Sequence, residues 1–203
     1  FLALCFLTLV LLQLLLPKPL DWRLSFSKKD KVPYGAYALN NLMHEIFTGQ
    51  EIRTAHLPIY NELEEKDFSG AVYFFLNSVF NADELDTKHL LHFVEKGNTA
   101  FISANYFSKK FSDTLKISTD DFFDYGKNMP DTGLYNGFAL FTDTVRLNFV
   151  NPQLKEKKDF VFPKAVPNFH ITELDTSKTT VLGKNSYGQV NFIRMRWGKG
   201  NIF

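Results

Sequence analysis

The chain begins with a stretch in which almost every position is apolar. Residues Phe1 to Leu16 contain no charge, no Gly and no Pro, and only Thr8 and Gln13 are polar. A helix needs about 17 or more apolar residues to cross a bilayer. The stretch is just short of that length and starts without a Met, so we expect upstream residues that complete one N-terminal transmembrane helix over residues 1–16.

Two cleaved alternatives fit this stretch less well than an uncleaved anchor. A signal peptide ends in a small-x-small cleavage site, whereas Leu16 is followed by Pro-Lys-Pro at residues 17–19. A lipoprotein signal has a small residue before its cysteine, whereas Leu4 precedes Cys5 and the apolar run continues. We therefore expect an uncleaved span, followed by a tether over residues 17–32 whose two prolines stop the helix.

The charges that flank the apolar stretch help to predict on which side of the membrane the domain lies. Arg23, Lys28, Lys29 and Lys31 lie directly downstream, and taken alone they favour the cytoplasm. Cys5 is the single cysteine, and a domain without cysteines suits a bacterial envelope and a cytosol alike. We expect a single-pass protein of the bacterial inner membrane with a periplasmic domain, and the cytoplasmic alternative stays open.

After the tether, apolar residues recur at helical spacing in some segments and form short, nearly continuous runs in others. Helical spacing predicts amphipathic helices, and continuous runs bounded by turn residues predict strands covered on both faces. The predicted elements are a helix that opens at Pro33 and ends at Gly49, strands over residues 51–57 and 70–77, a helix over 83–96, a strand over 99–104 and a helix over 108–115. This order predicts a doubly wound α/β domain with a mainly parallel sheet.

The pattern changes after Leu115. Residues 145–150 alternate between apolar and polar like a half-buried antiparallel strand, and shorter apolar segments nearby are bounded by prolines. We expect residues 116–176 to form an inserted, mostly β lobe of an α/β domain that covers residues 33–203. The strands expected to return to the core are residues 180–183, 191–196 and 201–203, with a hairpin turn at Gly198-Lys199-Gly200.

The candidate binding site follows from the predicted sheet, because ligands of such sheets bind beyond the carboxyl ends of the strands. Here those ends are the loops after the two core strands. Their candidate ligand-binding or partner-binding residues are Asn77, Ser78, Ser103, Asn105 and Tyr106. No His or Asp is placed by spacing to activate Ser103, so a hydrogen-bonded loop cluster is the simpler interpretation and a catalytic residue is not assigned.

Other clusters of ligand-type residues also have a simpler structural interpretation. His89 and His92 could share a metal with Glu84 or Glu95, but the apolar residues between them place both histidines at the edge of the buried helix face. The three aspartates within residues 120–124 lack the Gly and terminal Glu of a calcium loop and predict a solvated turn. We expect no metal and no cofactor.

Charge is nearly balanced along the chain. There are 23 Lys and Arg against 22 Asp and Glu, which gives a formal net charge of +1. Binding of nucleic acid through counterion release requires a strong basic field. The mild basic patch of Lys155, Lys157 and Lys158 predicts a solvated surface, and we expect no nucleic-acid partner.

Several short motifs together resemble one bacterial family. They are Ser-Phe-Ser-Lys-Lys at residues 25–29, Pro-Tyr-Gly-Ala-Tyr-Ala-Leu at 33–39, Phe-Val-Glu-Lys-Gly-Asn at 93–98, Ala-Phe-Ile-Ser-Ala at 100–104 and Trp-Gly-Lys-Gly at 197–200. With the apolar N-terminus and the Lys-Pro tether, the chain resembles the domain-of-unknown-function family "forty-three fifty", as found in Bacteroidetes-like envelopes. The resemblance covers nearly the whole chain. It implies a fold similar to class I glutamine amidotransferases on a membrane anchor, and no known activity.

The amidotransferase reaction requires a Cys on a tight turn after a core strand, with a His as general base. The equivalent turn here is Ala104-Asn105-Tyr106, and no Gly-x-Cys/Ser-x-Gly motif occurs in the sequence. Because a fold does not carry function by itself, we expect a non-catalytic, membrane-tethered domain that binds a partner protein or an envelope ligand. An accessory subunit of a membrane transport or assembly complex is one form of that role. The alternative is a hydrolase that uses polar residues at the strand ends.

Overall fold

The chain divides into two compact units, residues 1–53 and 54–203. The computed structural model describes residues 6, 21, 23–64, 67–122, 143–165 and 168–203. No helix in this described part is both long and apolar enough to cross a membrane. The predicted transmembrane helix of residues 1–16 is therefore not shown; apart from Phe6, it lies outside the described residues.

The first unit contains the helix α1 (Tyr37–Ile46), which confirms the central part of the helix predicted between Pro33 and Gly49. Its N-terminal end follows a closed loop, in which the Ala36 N–H donates to the Ser27 carbonyl at 2.9 Å. Gly49 lies beyond its end with a φ of +79°, a left-handed conformation that suits glycine. The sequence therefore specifies this helix by its local signals.

Short strands and three helices make up the described part of the second unit. In chain order they are α2 (Ile59–Leu63), β1 (Val72–Leu76), β2 (Val79–Phe80), α3 (Glu84–Glu95), β3 (Thr99–Ser103), β4 (Tyr106–Phe107), α4 (Lys109–Leu115), β5 (Ser118–Phe122), β6 (Asp143–Phe149), β7 (Phe160–Ala165), β8 (Asn168–Glu173), β9 (Thr179–Asn185), β10 (Val190–Trp197) and β11 (Gly200–Ile202).

Nine of these strands form one mixed sheet. Its order is β1-β3-β11-β10-β9-β6-β7, with β8 paired to β10 and β5 paired to β8. β1, β3 and β11 are parallel, whereas the other described pairings in this sheet are antiparallel. The predicted doubly wound, mainly parallel sheet is therefore wrong. A buried apolar run looks the same in sequence whichever way the neighbouring strand runs. In the second half of the chain, every described pairing in this sheet except that of β11 with β3 is antiparallel.

The predicted lobe of residues 116–176 contributes β5, β6, β7 and β8 to this same sheet. The part of the lobe between residues 123 and 142 lies outside the described residues. The segment 51–57 does not form the predicted strand. Near its end, the N–H groups of His56 and Leu57 donate to the Glu62 carboxylate at 3.1 and 3.2 Å instead of to a neighbouring strand.

The helices predicted over residues 83–96 and 108–115 are confirmed as α3 and α4, and a side chain caps the start of each. The Asp83 carboxylate accepts the Asp86 N–H at 2.8 Å at the start of α3, and the Ser108 hydroxyl accepts the Phe111 N–H at 3.5 Å at the start of α4. Such caps satisfy N–H groups that have no partner within the helix. Both helices bury apolar side chains against the sheet in one hydrophobic core.

The sheet forks at β10. One edge of β10 pairs with β9 between Val190 and Met195, with two register shifts. The opposite edge pairs with β11 over Met195–Trp197, and at Val190 it pairs with Ile171 of β8. The parallel branch β11-β3-β1 and the antiparallel branch β8-β5 therefore leave the same edge of one strand, and a gap opens between them.

Asn98 joins three segments at the base of the parallel branch. Its side chain is 1% exposed. The amide nitrogen donates to the carbonyls of Phe68 and Phe93 at 3.1 and 2.9 Å, and the amide oxygen accepts the Ala71 N–H at 2.9 Å. One buried side chain thereby satisfies backbone groups of the segment before β1 and of the end of α3.

The turn between β10 and β11 packs directly on the end of α3. A Cβ atom at Gly200 would collide with the carbonyl oxygens of Val94 and Asn98, and one at Gly198 would lie 2.7 Å from the Glu95 Cγ. Gly198 also has a φ of +56°. Both glycines are therefore required by the close approach of this turn to the helix.

We predict that Asn98→Ala lowers the free energy of unfolding by about 3 kcal/mol, because it leaves buried backbone groups without their partners. Urea unfolding followed by circular dichroism measures the change. The matched control is Asn151→Ala, whose exposed side chain accepts one local N–H at 3.0 Å and should cost less than about 0.5 kcal/mol. Equal losses in the two variants would contradict the role assigned to Asn98.

Burial raises the pKa of Tyr73 to about 12, and the negative charges of Glu62 and Asp86 add to the shift. In the unfolded chain the phenol ionises near 10.0, so between these values the unfolded state binds fewer protons and stability falls as the pH rises. We predict that Tyr73→Phe has a smaller loss of stability from about pH 9 to about pH 11 than the unchanged protein. Urea titrations at both pH values measure it, and parallel curves would refute the assignment.

Candidate functional site

The five polar residues predicted as a binding site do meet at the carboxyl ends of β1 and β3. The Asn77 N–H donates to the Ser103 carbonyl at 3.0 Å, and the Ser78 carbonyl accepts the N–H groups of Asn105 and Tyr106 at 2.9 and 3.3 Å. Directly after these turns, β2 and β4 pair in parallel as a small two-stranded sheet. The two loops are thus tied together by their backbones.

Most of their side chains stabilise the loops themselves. The Asn77 side-chain oxygen accepts the Ser78 N–H at 2.8 Å, and the Asn105 amide nitrogen donates to the Ser78 hydroxyl at 3.5 Å. The Tyr106 ring packs edge-to-face on Phe169 at 4.9 Å between ring centres. Ser103 is exposed. A hydrogen-bonded loop cluster is therefore present, whatever else these residues bind.

A cavity of about 170 Å³ lies next to these loops, in the fork of the sheet. We call it the fork cavity. Ser103 and Asn105 line it, whereas Asn77, Ser78 and Tyr106 do not. The rest of its lining comes from β3 and β4, from β8, β10 and the end of the chain at β11, from α4, and from residues 104, 117 and 119.

Apolar side chains dominate the wall of the fork cavity. Phe111, Met195 and Leu115 are at most 3% exposed, and Ile171 and Ile193 add branched side chains from β8 and β10. This surface is already removed from bulk water, so an apolar group that enters the cavity gains dispersion contacts that the empty wall lacks. The cavity is chemically suited to an apolar ligand.

A few polar groups are added to the lining by β5, β8 and β10. They are Thr119, His170 and Asn191. The His170 Nε2 lies 3.5 Å from the Gln189 side-chain nitrogen. Nothing in the sequence pattern links His170 and Asn191 to Ser103 and Asn105, because the pairing of β8 with β10 brings them together across more than 60 positions. Thr119 is nearer in sequence, and the pairing of β5 with β8 holds its strand there.

The buried Asn185 holds the turn between β9 and β10, and with it Gln189. Its side-chain oxygen accepts the N–H groups of Tyr187 and Gln189 at 3.0 and 2.9 Å. Its amide nitrogen donates to the Gln189 side-chain oxygen at 2.7 Å. The position of Gln189, which lies next to His170, therefore depends on a turn outside the cavity.

The histidines considered as metal ligands have other contacts. His92 Nδ1 lies 3.6 Å from the Glu95 carboxylate, and the His89 ring packs edge-to-face on Tyr60 at 5.4 Å. Among the described residues, no three His, Cys, Asp or Glu side chains converge where they could hold a metal ion. Asp124 lies outside the described residues.

Comparisons with known proteins do not identify a family for this chain. No protein-family model and no curated protein matches the sequence. Among solved structures, the exo-beta-1,4-mannosidase Op5Man5 from Opitutaceae bacterium strain TAV5 has 13% sequence identity and a TM-score of 0.35. The match covers 58% of this chain and 17% of the mannosidase. A similarity this distant supports no statement about the fold or the activity of this chain.

We predict that Asn185→Ala lowers the free energy of unfolding by about 2 kcal/mol, because three hydrogen bonds of a buried amide are lost, and that it shifts the NMR signals of the His170 ring. Urea unfolding and proton–carbon spectra of the histidines measure the two effects. Asn61→Ala, at an exposed helical position, is the control and should change neither. An unshifted His170 ring would refute the link between the turn and the cavity.

Proposed function

We propose that this protein is a non-catalytic binding domain that takes an apolar group into the fork cavity and holds the polar end of the same ligand at Ser103 and Asn105. The observation that supports the proposal is the position of the cavity at the carboxyl end of β3, where Ser103 and Asn105 line it. The fork cavity combines an apolar wall with a few polar groups, which is the usual composition of a ligand site.

The size of the fork cavity narrows the class of ligand. Apolar cavities of about 150 Å³ stay dry and admit a benzene-sized molecule. At about 170 Å³, the fork cavity accommodates one aromatic ring or one short branched aliphatic group. This apolar group is either part of a free small molecule, such as an envelope ligand, or part of a side chain of a partner protein.

The sequence favours a binding role over amidotransferase catalysis. The single cysteine is Cys5, outside the domain. Directly after β4, the Ser108 hydroxyl donates to the Ala82 carbonyl and caps α4, so its hydrogen-bonding capacity is used structurally. The hydrolase alternative depends on polar residues at the strand ends, and the Asn77 and Asn105 side chains there bond within the loops.

Ala104→Leu tests the proposal, because this residue lines the cavity and packs on the core, where a leucine side chain would occupy ligand space. We expect saturable binding of toluene and p-cresol by the unchanged protein in NMR titrations, with shifts at Phe111, Leu115 and Ile171. Ala104→Leu should weaken both probes by about tenfold or more. The control Ala55→Leu makes the same change at an exposed loop position and should leave binding unaltered.

The polar end is tested separately. Ser103→Ala with Asn105→Ala should weaken p-cresol, which carries a hydroxyl, and leave toluene unaffected. Saturable binding that Ala104→Leu leaves unchanged in a folded variant would overturn the assignment to the fork cavity. Failure of every apolar probe to bind would overturn the proposed function itself. Turnover of an ester or amide that Ser103→Ala abolishes would favour the hydrolase alternative.

A further inference from the structure

A second concave surface of the same unit is strongly basic. This basic groove has a volume of about 1100 Å³ and shares no lining residue with the fork cavity. Lys and Arg side chains from α3, α4, β10 and two turns line it, against the carboxylates of Glu84 and Glu95. The cationic residues are Lys88, Lys110, Lys178, Arg194, Arg196 and Lys199.

Few of these cations are neutralised within the protein. Lys110 pairs with Glu84 at 3.1 Å, and Glu95 lies 3.6 Å from His92. Across the described residues, the other five cations of the groove form no ion pair with a carboxylate. Since the whole chain has a formal charge of only +1, positive charge is concentrated on this surface.

Side chains alternate between the two faces of a β-strand, and this places both arginines of β10 on the same face. Ile193 and Met195 of β10 are 9% and 2% exposed and face the core. Arg194 and Arg196 alternate with them, so both project from the opposite face of the strand. Arg194 Nη2 lies 3.5 Å from the Thr180 hydroxyl, a long contact that occupies one of the five N–H donors of the guanidinium.

Two threonine hydroxyls of the groove lack a hydrogen-bond partner among the residues that the structure describes. The Thr87 side chain is 2% exposed, and within the described part of the chain its hydroxyl and that of Thr179 have no hydrogen-bond partner. Both residues line the groove. Buried hydroxyls usually have a partner from the protein or from a bound molecule, so this is a second feature of a site that accepts a polar ligand.

We infer that the basic groove binds an extended acidic polypeptide segment of a partner protein. The cations are distributed over several elements, which suits a chain of carboxylates better than a single small anion. Arginine matches a carboxylate with two parallel hydrogen bonds. The groove is concave, and a flexible polypeptide segment follows a concave surface more closely than a flat membrane does.

Nucleic acid fits the groove less well than an acidic peptide. Proteins that bind single strands combine a basic groove with aromatic rings on which successive bases stack. Trp197 is the aromatic residue that lines this groove, and the Lys178 ammonium already lies over its ring at 5.5 Å from the centre. The groove therefore provides charge without a stacking surface.

Two triple variants of equal charge test the inference in the full chain. Arg194→Ala/Arg196→Ala/Lys199→Ala removes three cations from the groove. Lys155→Ala/Lys157→Ala/Lys158→Ala removes three exposed cations that do not line it. Fluorescence anisotropy with a labelled peptide of about 12 residues, rich in Glu and Asp, measures binding at low and high salt. Thermal unfolding of both variants checks that each is folded.

We expect the groove variant to bind the acidic peptide at least about tenfold more weakly and the control variant to bind it as the unchanged protein does. Binding should weaken as salt rises, and a Lys-rich peptide of the same length should not bind. Equal losses in the two variants would overturn the inference, because net charge alone would then explain binding. An oligo-dT of about 12 nucleotides that binds as tightly as the peptide would overturn the assignment to an acidic polypeptide.

Discussion

The structure of the second unit depends on how closely the turn between β10 and β11 approaches the end of α3. Gly200 has space for a hydrogen but not for a Cβ beside the Val94 and Asn98 carbonyls, and the Lys199 N–H donates to the Glu95 carbonyl at 3.1 Å. This contact places β11 next to β3, about 100 positions earlier in the chain. It thereby joins the β1-α3-β3 segment to the antiparallel strands, and β10 becomes the strand from which both branches leave.

The two candidate binding surfaces are consequences of that one strand. Where β11 ends and β8 takes its place along the edge of β10, the branches separate and the fork cavity opens between them. Ile193 and Met195 face inward to the core and line the cavity, whereas the alternating arginines line the basic groove. A single strand thus separates an apolar site from a charged one because successive side chains point to opposite faces.

The candidate site could be predicted only in part. Ser103 and Asn105 were identifiable because β1 and β3 are linked by a helix, which makes parallel neighbours with adjoining carboxyl ends. Thr119, His170 and Asn191 were not, since their positions depend on pairings between strands far apart in the sequence. Three predictions stay untested: the family resemblance, the membrane anchor and the partner-binding role. The predicted parallel architecture was wrong because it extended the pattern of one βαβ unit to strands that pair antiparallel.

The sequence by itself determined the local elements and one chemical limit. Capping residues, apolar spacing and glycines set α1, α3, α4 and the final hairpin, because these signals act over a few residues and need no distant partner. The absence of any cysteine after Cys5 removed the amidotransferase nucleophile. Only the tertiary structure decided the strand directions, the fork and the grouping of cations in one groove. A strand's hydrophobic pattern records how deeply it is buried, but not which neighbour buries it or in which direction that neighbour runs.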